Sequence, residues 1–140
     1  MRRGPLGTEG LNALLQGALN AKAGQVLESP SSPARGTPRR FLPGDKIMQL
    51  RNDYEREVWN GDLGEITRVD AGVVFATMGG RDVSYAPDDL DAITLAYAST
   101  IHKVQGSEFD AVVLILHPSH HLLLSRALVY TAITRARKLV

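Results

Sequence analysis

The sequence predicts an α/β fold interrupted by a small β-barrel. Three observations carry that prediction. Leucines near the start recur at helical spacing, short strands punctuated by turns fill the middle, and helical spacing returns around a continuous apolar run near the end.

The first element is Leu11 to Leu19, LNALLQGAL. Its Leu11, Leu14, Leu15, Ala18 and Leu19 share one helical face, and Gly24 follows as a stop. It reads as an amphipathic packing helix. Glu28 to Arg40, ESPSSPARGTPRR, is rich in Pro, Ser and Gly without periodicity, so it reads as a flexible connector. Its Arg35, Arg39 and Arg40 read first as a solvated basic loop, and alternatively as contacts to a phosphate backbone.

From Gly44 to Leu90 the pattern changes to strands. Lys46 to Arg51 is one, Leu63 to Val69 another, then Val73 to Thr77 and Asp82 to Tyr85. Asn60-Gly61, Asp70-Ala71-Gly72 and Gly79-Gly80 supply the turns. About five short strands in so short a segment indicate a small SH3-like barrel. Ile93 to Leu95 then reads as a short strand and Ser99 to Val104 as a short helix. Ala111 to Leu116, AVVLIL, is continuously apolar, as in a parallel-sheet strand buried on both faces. Leu122 to Thr134 has helical spacing, and Lys138-Leu139-Val140 starts a further strand, which suggests an incomplete chain.

Bulk composition excludes several classes. At 140 residues and 44% hydrophobic, the chain can bury a core in one domain or two small ones. Lys plus Arg number 16 against 15 Asp plus Glu, so net charge carries no signature for nucleic acid. Cysteine is absent, which removes disulfides, thiolate metal sites and cysteine nucleophiles. No apolar run approaches the roughly 20 residues of a membrane span, and the N-terminus lacks a signal core. A soluble cytoplasmic protein without a membrane partner is expected. His117, His120 and His121 cluster, but without cysteine or a carboxylate set no metal is expected there.

Two stretches carry chemistry. Tyr97 to Phe109, YASTIHKVQGSEF, gathers Thr100, His102, Lys103, Gln105, Ser107 and Glu108 around Gly106, just before the apolar run. Exposed backbone N–H groups, a lysine and a hydroxyl suit a phosphate-bearing ligand; a hydrophilic loop capped by Ser107 satisfies the pattern equally. Leu128 to Lys138, LVYTAITRARK, ends a helix in Arg135, Arg137 and Lys138. These complement the helix dipole, or supply an arginine to a nucleoside triphosphate.

The segment YASTIHKVQGSEFDAVV resembles helicase motif V of the RecD-like branch of superfamily 1, and LVYTAITRARK resembles motif VI. GDKIMQLRNDYEREVWNGDLGEI, from Gly44 to Ile66, is similar to the start of the SH3-like insertion of that branch, and the opening MRRGPLGTEGLNALLQGALN to the segment before it. The four matches lie in the family's order over most of the chain. Pif-type helicases share His-Lys-x-Gln-Gly but continue with Thr-Leu-Asp, whereas Ser107-Glu108-Phe109 sits closer to RecD-like proteins and conjugative relaxases.

The resemblance implies part of a RecA-like motor domain (the C-terminal, UvrD-type domain of a P-loop NTPase) with an inserted SH3-like barrel. Residues 1–27 would form its helical segment, 28–43 a linker, 44–91 the barrel and 92–140 the motif-bearing remainder. The implied function is the C-terminal part of an ATP-dependent 5′-to-3′ DNA helicase acting in recombination and repair. Arg135 would contact the γ-phosphate, Gly106 would lie near it, Glu108 would approach the ribose, and Gln105 would link nucleotide to DNA. Thr100, His102, Lys103 and Ser107 would follow the single-stranded DNA backbone. Tyr130 and Thr131 would position the motif VI helix or simply pack. Val104 departs from the small hydroxyl residue that relatives often carry, and if that hydroxyl touches DNA, Val104 removes one contact. In the barrel, Asn52 and Tyr54 are DNA-binding candidates and Asn60 serves the turn. Trp59 is expected to fill the barrel core, stacking on a base being the other reading.

The implied cofactor is ATP with Mg²⁺. No Gly-x-x-x-x-Gly-Lys-Ser/Thr loop and no acidic pair for the metal occur in the chain, so an N-terminal motor half is the expected partner, besides single-stranded DNA and subunits of a recombination complex. The 140 residues alone are expected to be inactive. A DNA-binding module without enzymatic activity and the helicase part of a conjugative relaxase are the alternatives.

Overall fold

A computed structural model describes residues 7–21, 27–28, 40–116 and 125–140. The elements run α1 (Thr8–Leu19), β1 (Leu27–Glu28), β2 (Arg40–Phe41), β3 (Lys46–Gln49), β4 (Leu63–Asp70), β5 (Val73–Met78), β6 (Arg81–Tyr85) and a 3₁₀ turn, Pro87–Ala92. Then follow β7 (Ile93–Leu95), a second 3₁₀ turn, Ile101–Val104, β8 (Phe109–Ala111), α2 (Arg126–Ile133) and β9 (Ala136–Leu139).

Strand β5 shows most plainly how the sequence makes the barrel. Its burial alternates, with Val74, Ala76 and Met78 inside, as a pleated strand with one wet face requires. Neighbouring β4 buries Ile66 and Val69, three positions apart, because a bulge between Ile66 and Arg68 shifts its phase against β5. The five-stranded antiparallel sheet has the order β6-β5-β4-β3-β7. The 3₁₀ turn Pro87–Ala92 joins its two edge strands and puts Leu90 and Ala92 into the core. Around them pack Phe41, Ile47, Val58, Ile93, Leu95 and the ring of Tyr85. Each large apolar side chain so buried contributes about 1.5–3 kcal/mol.

Two boundaries differ from the sequence reading. The fifth strand of the sheet is Ile93–Leu95, pairing with β3 in the register Ile47↔Leu95, so the sheet continues beyond residue 91. Before residue 44, Phe41 and Leu42 are buried, and Phe41 joins the core cluster. The expected connector has its two ends paired, Glu28↔Arg40 and Leu27↔Phe41. Its Arg35 and Arg39 lie outside the described residues.

The helix α1 forms where expected but buries a different face. Leu14 and Leu19 are exposed, whereas Asn12 and Gln16 are the buried positions. The groove it occupies is lined by backbone carbonyls and a carboxylate, which polar amides satisfy and leucines would not.

Strands β8 and β9 are parallel neighbours joined through α2 as a β-α-β crossover. The expected buried strand Ala111 to Leu116 is not formed as such. Strand ends at Ala111, and Val113, Ile115 and Leu116 are exposed. A strand buried on both faces needs neighbours on either side and layers above and below; among the described residues only β9 pairs with it. Helix α2 begins later than Leu122 because Ser125, extended at φ −117°, caps it by accepting from Leu128 N at 3.2 Å. Residues 122–124 lie outside the described set. No helix among the described residues is long and apolar enough to cross a membrane.

Candidate functional site

The site is built on the β8–β9 pair. Phe109 N donates to the Arg135 carbonyl at 2.8 Å and Val112 N to Leu139 O at 2.9 Å. This pairing sets the loop before β8 beside the end of α2. That loop is anchored by Lys103 N to Thr100 O and by Ser107 N to Val104 O, at 3.0 and 3.1 Å. Gly106 sits at its apex with φ +88°, a left-handed conformation that side chains resist, and both Gln105 and Gly106 are exposed.

Arg135 turns back onto this loop. Its Nε donates to Thr131 O at 3.1 Å and one terminal nitrogen to Ser107 O at 3.3 Å, with a longer contact to Thr134 Oγ1. The next cations are matched: Arg137 Nε reaches Glu108 at 2.9 Å and Lys138 Nζ reaches Asp110 at 3.0 Å. Both pairs are exposed and contribute little. Arg135 alone of these three has no carboxylate partner among the described residues. A guanidinium held by carbonyls, with N–H donors to spare and no neutralising charge, fits the terminal phosphate of a nucleotide. Arg135, Ser107 and Gly106 are thus brought together, with Gln105 beside them, while Glu108 faces Arg137.

Thr100 stands at the N-terminal end of the 3₁₀ turn without capping it by its side chain; His102 is exposed and Lys103 half-buried. Thr131 holds the α2 backbone through Oγ1 to Ala127 O at 2.8 Å, and Tyr130 is exposed. His117, His120 and His121 lie outside the described residues, among which no group of three potential ligands for a metal ion occurs.

The barrel's long β3–β4 connection comes up against this loop. A bridge between Asp53 and Val58 stiffens it, and Arg56 clamps Asp53 and Asp89, each at 2.5 Å. Hydrogen bonds from the Arg56 backbone N–H and guanidinium hold the Asp53 carboxyl below the usual carboxylate range. Asn60 serves the turn as expected, its N–H donating to Asn52 Oδ1 at 2.9 Å. A Cβ on Gly61 would lie 3.7 Å from the Lys103 carbonyl oxygen, so the turn abuts the motif V segment. Trp59 does not fill the core. It is 42% exposed and meets Tyr54, 75% exposed, edge-to-face with centroids 5.4 Å apart. Its neighbour Val58 takes the core position, since adjacent residues of an extended bridge point to opposite sides.

The sequence reading missed Asp45, Asn12 and Gln16, which hold the loop's approach. The leucines of α1 dominate its pattern, although Asn12, Gln16 and Asn20 form a polar stripe at a spacing of four.

Residues 11–75 match the family model of the ATP-dependent RecD-like DNA helicase SH3 domain, and residues 95–140 that of the UvrD-like helicase C-terminal domain. The chain is 41% identical over 137 residues to the ATP-dependent RecD2 DNA helicase of Deinococcus radiodurans, covering 98% of this chain and 18% of that protein. The chain belongs to the RecD-like helicases. The RecD subunit of the RecBCD enzyme of Mycolicibacterium smegmatis is 33% identical to this RecD-like chain over 136 residues, covering 97% of it and 22% of the relative. The chain thus spans about a fifth of the length of these relatives. The crystal structure of a Bacteroides Pif1 helicase in complex with ADP-AlF3 and single-stranded DNA shares the fold with a TM-score of 0.60 at 23% identity, covering 94% of the RecD-like chain and 37% of that protein.

Proposed function

We propose that this chain supplies one side of the ATP site and part of the single-stranded DNA path of an ATP-dependent helicase. The observation that carries the reading is Arg135, lodged against Ser107 beside the Gly106 turn without a carboxylate partner among the described residues. The relative from Deinococcus, an ATP-dependent DNA helicase by name, supports it.

ATP with Mg²⁺ supplies the phosphoryl bond whose cleavage drives the motor. The chain's own part is positional and electrostatic: Arg135 offers a fork to charge on the γ-phosphate, Gly106 lets the backbone approach, and Gln105 lies between nucleotide and DNA. Glu108 reaches the ribose on release from Arg137. Thr100, His102, Lys103 and Ser107 line the DNA backbone, and Asn52 and Tyr54 extend the path over the barrel. The phosphate loop and Mg²⁺ ligands belong to an N-terminal motor half, without which these residues do not hydrolyse ATP. Movement is 5′ to 3′, in the cytoplasm, and the subunit name of the Mycolicibacterium relative supports partners in a recombination complex.

The test is Arg135→Ala in the complete protein that carries this chain. The ATPase rate falls by about 10³-fold or more, as for loss of an arginine finger, while DNA binding persists. An unchanged rate would sink the reading. Salt-dependent oligonucleotide binding indifferent to ATP would favour a binding module instead.

A further inference from the structure

Asp45 is a completely buried carboxylate whose partners come from its own turn and from two distant segments, α1 and Tyr97. It accepts from Leu42 N at 2.8 Å, Gln16 Nε2 at 2.5 Å, Asn20 Nδ2 at 2.7 Å and Tyr97 OH at 2.9 Å. A buried carboxylate is costly unless its lone pairs are filled, and here neutral donors fill them. One residue beyond Tyr97, the Asn12 amide takes both backbone groups of Ala98. Its Oδ1 accepts from Ala98 N at 2.9 Å and its Nδ2 donates to Ala98 O at 2.8 Å, as a neighbouring strand would. Ala96 N in turn donates to Lys46 O at 2.8 Å. Every residue from Ala96 to Ala98 is therefore tied to α1 or to the barrel, immediately before Ser99 to Ser107 begin.

We propose that Asn12 and Asp45 are positioning residues, which fix the approach to motif V through Ala98 and Tyr97 and so set the loop that meets DNA. This rests on the reading of Thr100 to Ser107 as a DNA-contacting loop for its functional half only. Both side chains are buried. They act by holding a two-residue splice between helix, barrel and loop. The Gly61 turn against Lys103 supports the same loop from the barrel side.

The test uses the full 140-residue chain with Asn12→Asp, Tyr97→Phe and the double variant, which preserve side-chain shape. Asp45→Asn is added with melting followed by Trp59 fluorescence, since it turns an amide against donors and can unfold the barrel. Amide exchange is measured without DNA, and binding to a fluorescent oligo-dT by anisotropy. The expected result is about tenfold faster exchange at Lys103 and Ser107 in the double variant, with strands β4 and β5 unchanged, and an affinity about tenfold weaker. Unchanged exchange at Lys103 and Ser107, a rise shared equally by the barrel strands, or an unaltered affinity would each overturn the proposal. If the unmodified chain does not bind oligo-dT, the DNA reading of the loop fails, and exchange alone decides the positioning role.

Discussion

The Arg135 guanidinium lies 3.3 Å from the carbonyl oxygen of Ser107, a residue 28 positions earlier in the chain. The parallel register Phe109↔Ala136 makes that meeting a consequence of sheet pairing. The geometry uses the guanidinium as a fork, with one arm on Ser107 and Nε on Thr131. A lysine has one ammonium head and cannot hold both carbonyls while presenting donors outward. In the complete protein Arg135→Lys should lie within about tenfold of the alanine variant in steady-state ATPase rate. A lysine enzyme with nearly full activity would show that charge alone suffices.

The Tyr54–Trp59 pair predicts a spectroscopic signal. Both rings are accessible, and Trp59 is the sole tryptophan of the chain. Titration with oligo-dT should quench Trp59 fluorescence, and Tyr54→Ala should weaken binding by about 1–3 kcal/mol without changing Tm. Binding without quenching, or a Tyr54→Ala variant of full affinity, would remove the barrel from the DNA path.

Gly64 lies tight against β5. A Cβ there would overlap Met78 Sδ and the Thr77 carbonyl, and the latter belongs to backbone that cannot swing aside. Gly64→Ala should cost about 1–3 kcal/mol as overpacking, read as a lower urea midpoint. An unaltered midpoint would mean the strands part more easily than their packing indicates.

Tyr85 makes stability depend on alkaline pH. Burial pushes its hydroxyl up to about 12 from 10.0, and its proton is donated to Gln49 Oε1 at 2.8 Å. A folded value above the unfolded one stabilises in full below pH 10 and is lost as pH climbs toward 12. For Tyr85 this amounts to about 3 kcal/mol. Tyr97, pushed up to about 12 by burial and by its bond to Asp45, adds in the same direction. Urea midpoints should fall between pH 10 and 12, with a shallower fall in Tyr85→Phe. An equal slope in that variant would place the transition elsewhere.

Strands β4, β5 and β6 were legible because their apolar alternation and Gly-containing turns are local signals, and motifs V and VI because residue types at fixed offsets suffice to recognise them. Pairing was not legible. Ile93–Leu95 reads correctly as a strand, yet its partner Ile47–Gln49 lies some 46 positions away, and nothing local announces it. The buried face of α1 is not legible in the sequence for a related reason. Leucines define an apolar stripe in isolation, but the surface awaiting the helix is polar, and only the fold reveals that. AVVLIL shows the limit of composition: hydrophobicity marks a segment fit for burial without supplying the layers that bury it. Trp59 and Val58 are adjacent, and only the phase of one bridge decides which turns inward.

Strands β3 and β7 are hydrogen-bonded neighbours, with Ile47 opposite Leu95. The polypeptide therefore leaves the sheet roughly 5 Å from where it came in, the width of one strand spacing. An insertion with its two ends clasped together makes little demand on the distance between the flanks it interrupts. The barrel can lengthen its loops or change its exposed rings while the flanking segments stay in place, as long as Asp45 keeps its partners on either side. Such a layout lets the barrel's surface vary separately from the segments on either side of it.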